Sequence, residues 1–175
     1  DAANRYMDSY NGTKKALNFH GSQVLSNIPN GTYTVKVATR ADSIGAYIFA
    51  LGEAITDTLV NDSTVMKQVA ASANTKWQEI EFYADSLGGI WQAEDDKYMA
   101  GETFDETIHN ARNGIGYGWT WATIDDIVVT NHEMVIGVTT DSLLTGKVFE
   151  GKWFSVDDWT LTLKAVGDNS NWTIE

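Results

Sequence analysis

The sequence predicts an all-β, predominantly antiparallel fold, with a β-sandwich or jelly roll as its architecture. β-branched and aromatic residues alternate with period two through much of the chain. Clusters of Gly, Asn, Asp and Ser break the alternation often enough to define several short strands, which is how sandwiches are written in sequence. The third observation is size: 175 residues at 43% hydrophobic content can build one core without staples, so a single domain over residues 1–175 is expected.

Taken in order, Asn30-Gly31 makes a turn after Pro29, and the run 32–39 alternates with Tyr33, Val35 and Val37 on the face to be buried. Residues 45–51 form a short apolar run with glycine at its border, predicting a central strand buried on both sides. The runs 59–69 and 77–84 are expected as the next two strands. Residues 124–130, 134–140 and 153–165 complete the set, with turns at Asn131-His132 and around Gly146 and Gly151. Period two fails over residues 86–113. There Thr103-Phe104-Asp105-Glu106 has the form of a capping box, and Phe104, Ile108 and Ala111 share a helical face, so a long inserted loop with a short helix is expected. The Asn- and Asp-rich stretch 167–171 opens an expected frayed tail over 167–175.

Composition excludes several classes of function. Twelve Lys and Arg against 24 Asp and Glu give a net charge of −12, which repels a phosphate backbone or an anionic membrane at long range. No nucleic acid partner and no membrane insertion are expected, because no apolar run approaches the ~18 residues a spanning helix needs. Without Cys there is no disulfide, thiolate metal site or Cys nucleophile. The three His lack metal-ligand spacing, and there is no nucleophile elbow, P-loop or dinucleotide fingerprint.

Two segments echo each other: Trp121-Ala122-Thr123-Ile124-Asp125-Asp126 and Trp153-Phe154-Ser155-Val156-Asp157-Asp158. Either they are copies of one strand unit, or two strands with the same job converged on the same residues; two copies fall short of a repeat array. The strand Gly31-Thr32-Tyr33-Thr34-Val35, the Arg40 that ends it, Met134-Val135-Ile136-Gly137-Val138 and the closing Asp157-Asp158-Trp159-Thr160-Leu161 together resemble galactose-binding-like β-sandwich domains over residues 25–165. The resemblance implies a carbohydrate-binding or accessory module of a secreted or cell-surface (extracellular or periplasmic) bacterial protein, with a glycan or polysaccharide as partner and other modules of a longer chain beside it. It also implies a structural Ca²⁺ held in part by the closing strand, where Asp158 is the matching position.

Sugar rings present C–H faces to aromatic planes and hydroxyls to carboxylates, amides and Arg. Trp91, Tyr98, Tyr117, Trp119 and Trp121 lie in or beside the irregular region with Arg112 close by, and Arg40 ends a strand, so these seven are the candidate ligand-binding residues. Each aromatic has core packing as its alternative, and Arg40 has an ion pair with Asp42 or a neighbour. Trp77, Trp153 and Trp159 are assigned to the core or a sheet face. The pairs Asp95-Asp96, Asp125-Asp126 and Asp157-Asp158 admit calcium ligation, glycosidase carboxylates or bend capping. Catalytic residues are not assigned. The expected role is non-catalytic binding, with a structural or protein-interaction sandwich and a jelly-roll glycoside hydrolase as alternatives.

Overall fold

The computed structural model describes residues 6–11, 17–57, 60–82, 97, 100–103 and 119–172. They form β1 (Met7–Tyr10), β2 (His20–Ser26), β3 (Gly31–Ala41), β4 (Tyr47–Leu51), α1 (Asp62–Ala71), β5 (Lys76–Glu79), β6 (Thr120–Val129), β7 (Glu133–Thr139), α2 (Ser142–Thr145) and β8 (Trp153–Val166). Two four-stranded sheets, β1-β8-β3-β6 and β2-β7-β4-β5, stand face to face, and every strand pairing within them is antiparallel. Because most connections carry the chain from one sheet to the other, the fold is a β-sandwich of jelly-roll type, as the alternation predicts. Among the described residues no helix is long and apolar enough to cross a membrane.

The core lies between the sheets. Tyr33, Val35 and Val37 of β3 are buried there with Ile48 and Ala50 of β4, Ile124 and Ile127 of β6, Met134 and Val138 of β7, and Phe154 and Val156 of β8. β4 is central and buried on both sides: Ile48 and Ala50 face the sandwich interior, while Phe49 and Leu51 face outward into a second apolar cluster with Val135, Val65 and Val69. A strand with no solvent face has no reason to alternate, which accounts for the unbroken apolar run.

The second cluster overturns one sequence expectation. The run 59–69, read as a strand, folds from Asp62 onward as α1. Asn61 caps the helix, its side chain accepting from Thr64 N at 2.9 Å, and Val65 and Val69, four apart, are the residues it buries. The β-branched content suggested a strand, but an Asn cap and a one-sided i, i+4 pair decided for a helix. Two short outer strands, β1 and β2, went unanticipated, and among the described residues of the expected strand 77–84 the ladder covers β5, with Phe82 making an isolated bridge to Ala41. The insertion expected at 86–113, with its capping box and helix, lies mostly outside the described residues.

The tail expected to fray is tied down through Trp172. Gly167 N donates to Asn30 O (2.8 Å), Asn30 N to Asn169 Oδ1 (2.7 Å) and Asn30 Nδ2 to Asp168 O (2.8 Å). Trp172 stacks on His132 at 5.6 Å and donates its indole N–H to Asn27. Polar composition suggested disorder, yet the Asn side chains serve as partners for backbone groups at the end of β3.

Candidate functional site

The two echoing segments are β6 and β8, and they flank β3 on either side. Each carries a β-bulge at its Asp pair. On β6, Tyr33 pairs with Ile127 and Val35 with Ile124, leaving Asp125 and Asp126 opposite Thr34. On β8, Lys36 pairs with Thr160 and Ala38 with Asp157, so Asp158 and Trp159 face Val37. The second Asp of each pair is left-handed, with φ of 57° at Asp126 and 48° at Asp158, a conformation Asp tolerates better than most residues. The extra residue resets the alternation. Without it, adjacent Asp residues would point to opposite faces and one carboxylate would enter the core. With it, all four Asp stay at least partly exposed while Ile127 and Trp159 return to the inside.

Above the bulges, the sheet's outer face carries a cluster built around Arg40. Register places Ser155 opposite Arg40 on β8, Asp8 opposite Ser155 on β1, and Thr120 opposite Thr39 on β6, with Trp119 one step beyond. Arg40 Nε donates to Ser155 Oγ at 3.2 Å, and Ser155 Oγ donates to Asp8 Oδ1 at 2.8 Å. The Arg40 guanidinium sits 4.6 Å from the Trp119 ring centre, 5.0 Å from Tyr6 and 5.4 Å from Trp153. Tyr6 and Trp119 meet edge to face at 5.4 Å. Two residues along β6, Trp121 carries the Lys36 ammonium over its ring at 4.1 Å. Tyr6 is exposed, and Trp119, Trp121, Trp153 and Arg40 are half-buried, so this is a surface platform. Such cation–ring contacts are worth about 0.5–2 kcal/mol each and fix ring orientation.

Of the residues selected from sequence, Arg40, Trp119 and Trp121 are brought onto one face. Trp91, Tyr98, Arg112 and Tyr117 lie outside the described residues. Asp42, the anticipated ion partner of Arg40, accepts instead from the backbone N–H groups of Lys152 and Trp153. Sequence reasoning did not select Tyr6 or Asp8, and it gave Trp153 to the core or a sheet face. The parity of β8 was the available signal: Trp153 alternates with the buried Phe154 and shares its face with Ser155.

Asp158 is an exposed bulge residue whose carbonyl accepts from Thr160 Oγ1 at 3.4 Å. Calcium takes six to eight oxygens, and among the described residues no three His, Asp or Glu side chains gather at Asp158 or elsewhere.

Other concavities lie among the described residues, and two of them border the sheet ends and edges. One, about 570 Å³, opens at the end of the sandwich beside Asn30 and His132. Its polar groups are largely engaged with one another, His132 N donating to Asn30 Oδ1 at 2.9 Å. The other, about 320 Å³, runs between the β1 and β2 edges, lined by Met7, Ile136, Val156 and Trp159.

No protein-family model matches the chain, and no curated protein sequence matches it. Among solved structures, the chain is similar to TmCBM61, determined in complex with beta-1,4-galactotriose, with a TM-score of 0.46 and 16% identity over 91% of this chain and 70% of that one.

Proposed function

We propose that this chain is a non-catalytic carbohydrate-binding module, a galactose-binding-like sandwich that takes a glycan on the outer face of the β1-β8-β3-β6 sheet. The observation that carries the reading is the convergence of Tyr6, Trp119 and Trp153 on Arg40, with Trp121 beside them on the same face. Indole and phenol planes held in place by cations offer preordered stacking surfaces, which reduces the ordering cost of binding. Asp8 and Arg40 supply an acceptor and donors for hydroxyls around them, and the fully buried Ser155 links the two. The module belongs, in this reading, to a secreted or cell-surface bacterial protein and works beside other modules, where polysaccharide is met.

A second reading has one observation in its favour: each of these rings already faces a cation, so the cluster is also what a structural sandwich would use to stiffen its sheet. Exposure favours the first, since Trp119 and Trp121 are only half-buried. Titrating intrinsic Trp fluorescence with plant and host polysaccharides tests the proposal. A saturable shift that is lost in Trp119→Ala supports it. A well-folded protein silent to every glycan returns the cluster to a structural role.

A further inference from the structure

We propose that the platform selects a glycan unit bearing a carboxylate, a uronic acid, and that Arg40 makes the selection; this deepens the glycan-binding function proposed above and rests on it. A guanidinium carries five N–H donors in one plane. Here Nε alone is used within the described residues, donating to Ser155 Oγ at 3.2 Å, and the four Nη N–H groups meet no acceptor among them. The surrounding rings supply π faces, which attract the charge without matching a planar fork of donors.

The neighbouring acids do not fill that role. Asp8 is one link removed, accepting from Ser155 Oγ, and Asp42 caps the backbone at Lys152 and Trp153. What the fork lacks is two coplanar oxygens, which a carboxylate provides in bidentate form and separate sugar hydroxyls provide less well. Half-burial among three rings strengthens such a pair by thinning the water around it.

The same face limits how many carboxylates it accepts. Asp8, Asp125 and Asp157 are arrayed around Arg40 and Lys36 on this sheet, and the chain as a whole carries a charge of −12. A long polyanion is repelled, whereas one carboxylate in direct contact with Arg40 gains over a distance shorter than the Debye length of about 8 Å. The preferred ligand is therefore a single uronic acid within an otherwise neutral glycan.

Two matched pairs of oligosaccharides test this by calorimetry. One carries a single glucuronic acid and the other a single galacturonic acid, each compared with the same compound whose carboxyl is reduced to a primary alcohol. The acid form of at least one pair is expected to bind about tenfold more tightly or better. Arg40→Gln removes that difference, and Arg40→Lys, which keeps the charge and loses the fork, reduces it. Near-UV circular dichroism establishes that each variant is folded, and the wild-type comparison stands without them. Equal affinity in both pairs, or a preference that survives in folded Arg40→Gln, overturns the inference. If the wild type then still binds neutral polysaccharide, only the uronate preference is lost; if it binds no glycan at all, the proposed function falls with it.

Discussion

On the outer face of the β2-β7-β4-β5 sheet, Phe49, Leu51 and Val135 lie under α1, whereas the outer face of the β1-β8-β3-β6 sheet carries Arg40, Lys36, Trp119, Trp121 and Trp153 with no described helix over them. Both faces belong to four-stranded antiparallel sheets that share one core. Their side chains differ in what they can exchange with water. An aliphatic face must be covered, and the chain supplies the cover by placing a capped helix between β4 and β5. A face of indoles paired with cations can remain at the surface, because the charges keep their hydration on one side and the rings keep theirs partly shed. The covered face contributes stability, and the bare one is free to contribute recognition.

That contrast is broken most severely by removing the covered face's anchor. Phe49 is fully buried, tilted against Trp77 at 5.3 Å and stacked under His20 at 5.6 Å. Phe49→Ala is expected to cost about 3–5 kcal/mol in chemical denaturation, as large-to-small changes in a packed aromatic site do. A cost below about 1 kcal/mol would mean that α1 is not held by this cluster. Detaching the cover from its own end has a smaller effect: Asn61→Ala removes the acceptor for Thr64 N and is expected to cost about 1 kcal/mol, with Phe49 and the sheet unchanged.

The smallest effect is a pH dependence confined to the covered side. Burial lowers the pKa of His20 below the usual 6.5, partly opposed by the charges of Asp62 and Asp141, and neither ring nitrogen has a hydrogen-bond partner among the described residues. The unfolded chain takes up a proton near 6.5 that the folded chain resists. The contribution of neutral His20 is therefore fully present above pH 6.5 and declines as pH falls below it toward the folded-state pKa. Denaturation curves at pH 7.5 and 5.5 should show the wild type losing stability, and His20→Phe should flatten that loss. An unchanged slope in the variant would assign it to other groups.

The two faces were unequally legible in the sequence. Strands that bury one face, such as β3 with Tyr33, Val35 and Val37, declare themselves by alternation, and β4 declared itself by its lack of any polar position. α1 did not, because its ten residues bury only two valines, too few to outvote β-branched propensity; the Asn61 cap was the readable signal. On the bare face, Trp119, Trp121 and Arg40 could be selected by residue type. Their assembly with Tyr6, Asp8 and Trp153 depends on β8 lying beside β3 and β1 beside β8, pairings between residues more than 100 apart that no local pattern encodes. The repeated Asp pairs were visible as an echo, but their role as left-handed bulge residues appears only when register is known.

The most direct test of the platform is a two-dimensional NMR spectrum of the seven indole N–H resonances, recorded with and without a bound glycan. The account predicts that Trp119, Trp121 and Trp153 shift together on saturation while Trp77, packed under α1, stays in place. A spectrum in which Trp77 moves and the Arg40 cluster does not would contradict it.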